Sequence, residues 1–370
     1  MAEQNKKLDV IADFSYSSEN EAYNQAYRQW RRTNKAPYMY RYSGNPNEVT
    51  YVDGNAVSMP DAPQTESKAL MHCATLLGMA LLTGMLLELA GGASIVGIMR
   101  LLGIRIRLDF LSLSMRGSQW AVAAARALTC ILKYAVPAAL LMRLGRLPRH
   151  VSVPVGIGGL PETIAAVGAA MCIAGVYSLT AQEAGVLTAQ EIFDGNNREA
   201  VLSYGLFDAL FVSLLAELLL RGTMLPLLRQ FGDSFAVAMT ATAAFLMPNM
   251  LPDRIAELLI GLCSGYLLLR SGSFAKCVLL RTVCTVLCHA RIILVYANGT
   301  IPLWQYAMLL LTSGTLLAVF YVHIRKEHIR LGNRDTQLSE GRKFFIISQS
   351  VTVLPWAGVS VLLMLFQLFF

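Results

Sequence analysis

Residues 216 to 222 read Ala-Glu-Leu-Leu-Leu-Arg-Gly, so Glu217 and Arg221 stand four apart inside an apolar stretch running from 201 to 228. At that spacing two side chains share one helical face and can neutralise each other. Inside a bilayer-spanning helix each charge is expensive unless it faces protein or water, so such a pair marks either a functional site or an ion pair that fixes helix packing. A carboxylate held there can take a proton from water, and a nearby hydrogen-bond donor can stabilise an oxyanion. His289 is the one histidine of five placed deep in an apolar window; His72, His150, His323 and His328 lie at span ends or among basic residues. A lone buried imidazole more often makes a packing hydrogen bond than binds a metal, and the chain has no HExxH or acidic cluster, so no metal and no cofactor is expected.

The elements that must position these groups are membrane helices. With 55% hydrophobic residues and 15% charged residues over 370, and a mean hydropathy of +0.49, the chain has more apolar surface than one soluble domain can hide. Apolar windows fall near 69–90, 118–142, 155–180, 201–228, 234–251, 255–270, 274–297, 301–323 and 345–370. Several reach the roughly 20 residues a bilayer-spanning helix needs. The windows at 234–251 and 255–270 are short, so the expectation is an all-α polytopic bundle of eight or nine transmembrane helices. Residues 1–67 form a polar arm and 68–370 the membrane domain.

Basic residues orient the chain through the positive-inside bias. Lys6, Lys7, Arg28, Arg31, Arg32, Lys35 and Arg41 precede the first span, and Arg325, Lys326, Arg330, Arg334, Arg342 and Lys343 precede the last. Both segments are expected to be cytoplasmic, as is the loop with Arg143, Arg146 and Arg149. The acidic 181–199 connection is expected to face out. Arg100, Arg105, Arg107 and Arg116 then fall on the outer side, unless Ser94 to Met115 forms an interfacial or re-entrant segment whose arginines reach headgroups. The net charge of +7 reads as topology signal and contact with anionic membrane lipid, with no nucleic-acid partner. All seven cysteines lie in apolar windows without a CxxC pair and read as buried thiols. The tyrosine-rich arm reads as a tail packed loosely on the membrane face.

The segment 201–295 resembles the CAAX prenyl protease and bacteriocin-processing family, also called the Abi family, of intramembrane glutamic endopeptidases. The resemblance rests on Glu217-x-x-x-Arg221-Gly222, on an apolar helix ending Phe245-Leu-Met-Pro-Asn249, and on the turn Ser271-Gly272-Ser273 leading into the next span. In the family these positions read Glu-Glu-x-x-x-Arg, Phe-x-x-x-His and His-x-x-x-Asn. Here Ala216 stands where the first glutamate, believed to activate water, would be. Asn249 replaces the first histidine, and counting from the turn places Arg281 and Thr285 on the last His-x-x-x-Asn. The resemblance therefore implies a membrane cavity open to the cytoplasm, lined by Glu217, Arg221, Asn249 and Arg281, with His289 about two turns beyond Arg281.

Asn249 and Arg281 can donate hydrogen bonds, but neither can act as a base near neutral pH. Three functions are compatible with these residues. One is a catalytically inactive or weakened scaffold that binds a peptide, a lipidated protein tail or a membrane partner protein. Another is an active endopeptidase in which Glu217 works with His289 or Asn249. The third is a small-solute or peptide transporter built on the buried charges, although no paired halves are visible.

Overall fold

The computed structural model describes residues 21–40, 50–52, 55–57, 62–108, 115–156, 159–180, 205–247, 254–296, 303–324 and 338–369. Helix α1, Glu21–Thr33, precedes a small hairpin of β1, Thr50–Val52, and β2, Asn55–Val57. Helix α2 starts at Ala62–Leu86, widens through a π turn at Leu87–Gly91 and continues as Gly92–Leu101. A second hairpin, β3 (Ile106–Leu108) with β4 (Met115–Gly117), leads into α3, Gln119–Leu144. The short α4, Arg149–Ser152, and α5, Leu160–Thr180, follow.

Helix α6, Gly205–Arg229, contains two π turns, Asp208–Val212 and Leu218–Met224. Then come α7 (Asp233–Leu246), α8 (Arg254–Ser271), α9 (Phe274–Tyr296), α10 (Leu303–Ile324), α11 (Glu340–Ser348) and α12 (Val353–Phe369). Each apolar window of the sequence contains helix among the described residues. Among the described residues, five helices are individually long and apolar enough to cross a bilayer, and α11 with α12, bent by 84°, makes a sixth if taken as one broken span. The chain is a polytopic helical integral membrane protein.

Packing follows from where small residues let backbones approach. Gly84 of α2 sits against the Lys133 carbonyl and the Pro137 ring of α3. Proline at 137 has no N–H to give that carbonyl, and Gly84 has no side chain to keep the two helices apart there. Gly168 and Gly175 of α5 seat α10. Gly261 and Gly265 bring α8 onto α7: a Cβ at Gly261 would lie 2.7 Å from the Ala241 Cα, and one at Gly265 would lie 3.1 Å from Val237. One large apolar cluster joins α1, α2, α3, α4, α6, α7, α11 and α12 with the end of α8 and the start of α9, and a second joins α5, α8, α9 and α10.

The arm is the main departure from the sequence reading. Residues 21–40 are not a loose tail: Tyr23, Tyr27, Trp30, Tyr38 and Tyr40 are buried. The Tyr27 hydroxyl donates to the Pro226 carbonyl at 3.1 Å, Trp30 donates to the Arg146 carbonyl at 2.8 Å, and the Tyr40 amide donates to Gln230 at 2.8 Å. Arg229, at the end of α6, donates to Asn24 at 2.9 Å and lies 4.8 Å from the Tyr27 ring centre. Polar composition suggested a solvated arm, but its polar atoms are spent on the carbonyls and charges left over at helix ends.

Candidate functional site

Two of the sequence-derived residues meet on α6. The Glu217 carboxylate lies 3.4 Å from Arg221 Nε, and both side chains are fully buried. The π turn 218–224 begins directly after Glu217 and contains Arg221, a local widening that recurs at functional sites. Room for the guanidinium comes from α8, because Gly261 has no side chain: a Cβ there would stand 3.1 Å from Arg221 Nη2.

Arg281 enters from α9. Its Nε donates to Glu217 Oε1 at 2.7 Å, while Nη1 and Nη2 donate to the two oxygens of Glu257 at 2.9 and 2.8 Å. The second interaction is a two-pronged guanidinium–carboxylate pair, the strongest geometry available to these groups. Glu217, Arg221, Glu257 and Arg281 are all buried and together sum to zero charge, which is what allows four ionised groups to persist out of water. The register of Arg281 is set by the turn before α9. Gly272 has φ +59, and its amide closes α8 by donating to the Leu268 carbonyl at 2.8 Å. The Phe274 amide donates to the Pro154 carbonyl at 3.2 Å, tying the start of α9 to the loop after α4.

The network is incompletely paired. None of the three Arg221 nitrogens forms a hydrogen bond among the described residues, and neither does Glu217 Oε2 or the buried Ser264 hydroxyl. Ser264 lies near by: the Cys277 thiol at the head of α9 donates to its carbonyl at 3.1 Å. Buried donors and acceptors without a hydrogen-bond partner are costly to leave so.

His289 is not brought to Glu217. Its Nε2 lies 3.0 Å from Asp208 Oδ2 of α6, with the imidazole partly exposed and the carboxylate nearly buried. A Cβ added at Gly205 would lie 3.8 Å from the ring. Arg281 and His289 are eight residues apart on α9, so this second pair sits about 12 Å further along the same helix interface. Asn249 lies outside the described residues. The buried Lys133 and the partly buried Glu88 form a separate pair at 2.8 Å between α3 and α2.

Residues 198–287 match the family described as type II CAAX prenyl endopeptidase Rce1-like. Over these residues the chain is similar to the CAAX prenyl protease family. The matched stretch is about a quarter of the chain and runs from just before α6 into α9, so it holds all four charges of the network. No curated protein and no solved structure matches the chain. Within this CAAX-protease-like core, Ala216 is buried beside Glu217 and supplies no carboxylate. Glu257 and Asp208 are the site residues that sequence reasoning missed.

Proposed function

We propose that this CAAX-protease-like protein is a non-catalytic membrane scaffold that holds a peptide segment, such as a lipidated protein tail or part of a membrane partner, at the Glu217 network. The observation that carries this reading is the engagement of Arg281 with both carboxylates. A base that activates water needs a free oxygen lone pair beside the water and a partner that can take up or release the proton. Glu217 instead stands between two guanidinium groups, Oε1 accepting from Arg281 at 2.7 Å and Oε2 facing Arg221 Nε at 3.4 Å, and a guanidinium holds its proton at any physiological pH. What remains open is the pair of donors Arg221 Nη1 and Nη2. A peptide carbonyl is the acceptor that complements guanidinium donors. By the charge bias of its basic segments, the arm and the end of α6 at Arg229 face the cytoplasm.

One observation favours the second reading, an active endopeptidase. Asp208 and His289 form a carboxylate–imidazole pair at 3.0 Å with the ring partly exposed, the arrangement of an oriented general base.

Reconstituted full-length protein offered a farnesylated CAAX peptide decides between them. The scaffold reading expects retention of the peptide without cleavage, and weaker retention by Glu217→Gln. Turnover that is lost in Glu217→Ala, or in His289→Ala, rejects it.

A further inference from the structure

At the end of the molecule opposite the arm, α2 and α3 project into a small amphipathic tip. It consists of the last turns of α2, the β3–β4 hairpin and the start of α3. Ile106, Met115, Val96, Val122 and Ala125 pack beneath it as a separate apolar cluster. Alternation along the strands then turns Arg107 and Arg116 outward, and the pairing register sets these two directly opposite each other. Like charges in directly opposed positions destabilise a hairpin. Arg100 and Arg105 add to the same surface; Arg100 Nε is held by the Ile106 carbonyl at 2.6 Å. All four arginines are exposed, and the described residues of the tip, 92–108 and 115–118, include no acidic side chain.

Beside the arginines lie Leu101, 88% exposed, Leu102, 73%, and Trp120, 50%. Height along the bundle says what they meet. Cys73 of α2 is level with Leu227 of α6, and 28 residues of continuous helix separate it from Leu101, about 42 Å at the helical rise. A bilayer measures ~30 Å across its hydrocarbon and 40–45 Å with headgroups, so the tip falls in the headgroup layer. Apolar residues at the acyl boundary, a tryptophan beside them and arginines at phosphate level are the composition of an interfacial lipid-binding element.

We infer that Arg107 and Arg116, with Arg100 and Arg105 beside them, form a binding site for the phosphate of an anionic phospholipid headgroup, with Leu101 and Leu102 seated in the acyl boundary. A bound phosphate removes the repulsion between the opposed arginines, which gives the hairpin register its reason.

The experiment uses the full-length protein in neutral detergent micelles carrying either phosphatidylglycerol or phosphatidylcholine, with thermal unfolding and bound lipid as readouts. Phosphatidylglycerol is expected to raise the midpoint and to be retained, phosphatidylcholine much less so. In Arg107→Gln/Arg116→Gln the preference for phosphatidylglycerol should fall by about thirtyfold, the factor two interfacial arginines carry together. Lys68→Gln/Arg149→Gln, exposed basic residues at the other end, should retain it. Inorganic phosphate and glycerophosphoglycerol test whether the site takes a free anion without its lipid; full stabilisation by either overturns the lipid assignment. Equal response of the unaltered chain to both lipids overturns the proposal, and this comparison needs no variant to fold. An unchanged preference in the Gln pair overturns it as well.

Discussion

At the scale of single residues, the candidate site is an exercise in charge balance. The Arg281 guanidinium brings a permanent positive charge into the bundle. Glu257 answers it with two hydrogen bonds at 2.9 and 2.8 Å, leaving Glu217 to be shared between Arg281 and Arg221. Taking away one partner of a buried ion pair strands the other and costs about 3–5 kcal/mol, whereas removing opposite charges together is often nearly neutral. Glu257→Gln and Arg281→Gln are therefore each expected to lower stability by about that amount. The double variant Glu257→Gln/Arg281→Gln should recover much of the loss, a non-additivity read directly from thermal unfolding in detergent. Additive losses would show that the two side chains contribute by packing alone. Glu257 was not legible in the sequence because it sits one turn into α8, after Pro252-Asp253-Arg254, where an acidic residue reads as an ordinary helix-start charge. The following Gly261 and Gly265, at four-residue intervals on the same face, were the available signal that this face meets another helix closely.

At the scale of elements, helix and span positions were legible because long apolar windows have few other solutions in a bilayer. The pairing of faces was not. Asp208 and Glu217 are nine residues apart, which on an ideal helix places them about 180° apart, yet both reach α9, one to His289 and the other to Arg281. The π turn at 208–212 inserts the extra residue that rotates one relative to the other, and nothing in the residue pattern announces it. Close approach of α8 to α7 is a second property of elements, and it rests on Gly261. A methyl group there meets the Ala241 backbone at 2.7 Å and the Arg221 guanidinium at 3.1 Å, and backbone cannot yield as a flexible side chain can. Gly261→Ala is expected to cost about 1–3 kcal/mol through overpacking and to disturb the Arg221 contact. Gly97, whose added Cβ would meet nothing within 4 Å, supplies the control: Gly97→Ala in α2 should be neutral or slightly stabilising in the same unfolding assay. Equal effects at the two glycines would remove close helix approach as the reason for Gly261.

Over the whole molecule, polar pairs recur in layers along α6: Asp208 with His289, Glu217 with Arg281, and Arg229 with Asp233 at 3.0 Å. The arm closes the last layer. Its sequence gave no sign of this, since tyrosine, asparagine and arginine are as much at home in a solvated tail as against exposed carbonyls. Burial pushes the Tyr27 hydroxyl above the ordinary tyrosine value, against the opposing pull of Arg31 and Arg229, and does the same to Tyr23. Both groups lie in α1, outside the membrane helices. A phenol that ionises less readily when docked than when released holds its docking contribution below the ordinary tyrosine pKa of about 10. The contribution is lost as pH rises beyond that value, because the released arm sheds a proton the docked arm keeps. Hydrogen exchange of residues 21–33, expressed as protection relative to the intrinsic hydroxide-catalysed rate at each pH, should therefore stay slow at pH 9 and accelerate steeply between about pH 10 and 11. Tyr23→Phe/Tyr27→Phe removes the ionisable groups, so its exchange should be faster at pH 9, for want of the bond to the Pro226 carbonyl, but free of the alkaline step. An alkaline step of the same size in the double variant would mean that other groups release the arm, and the phenols would then be no more than packing.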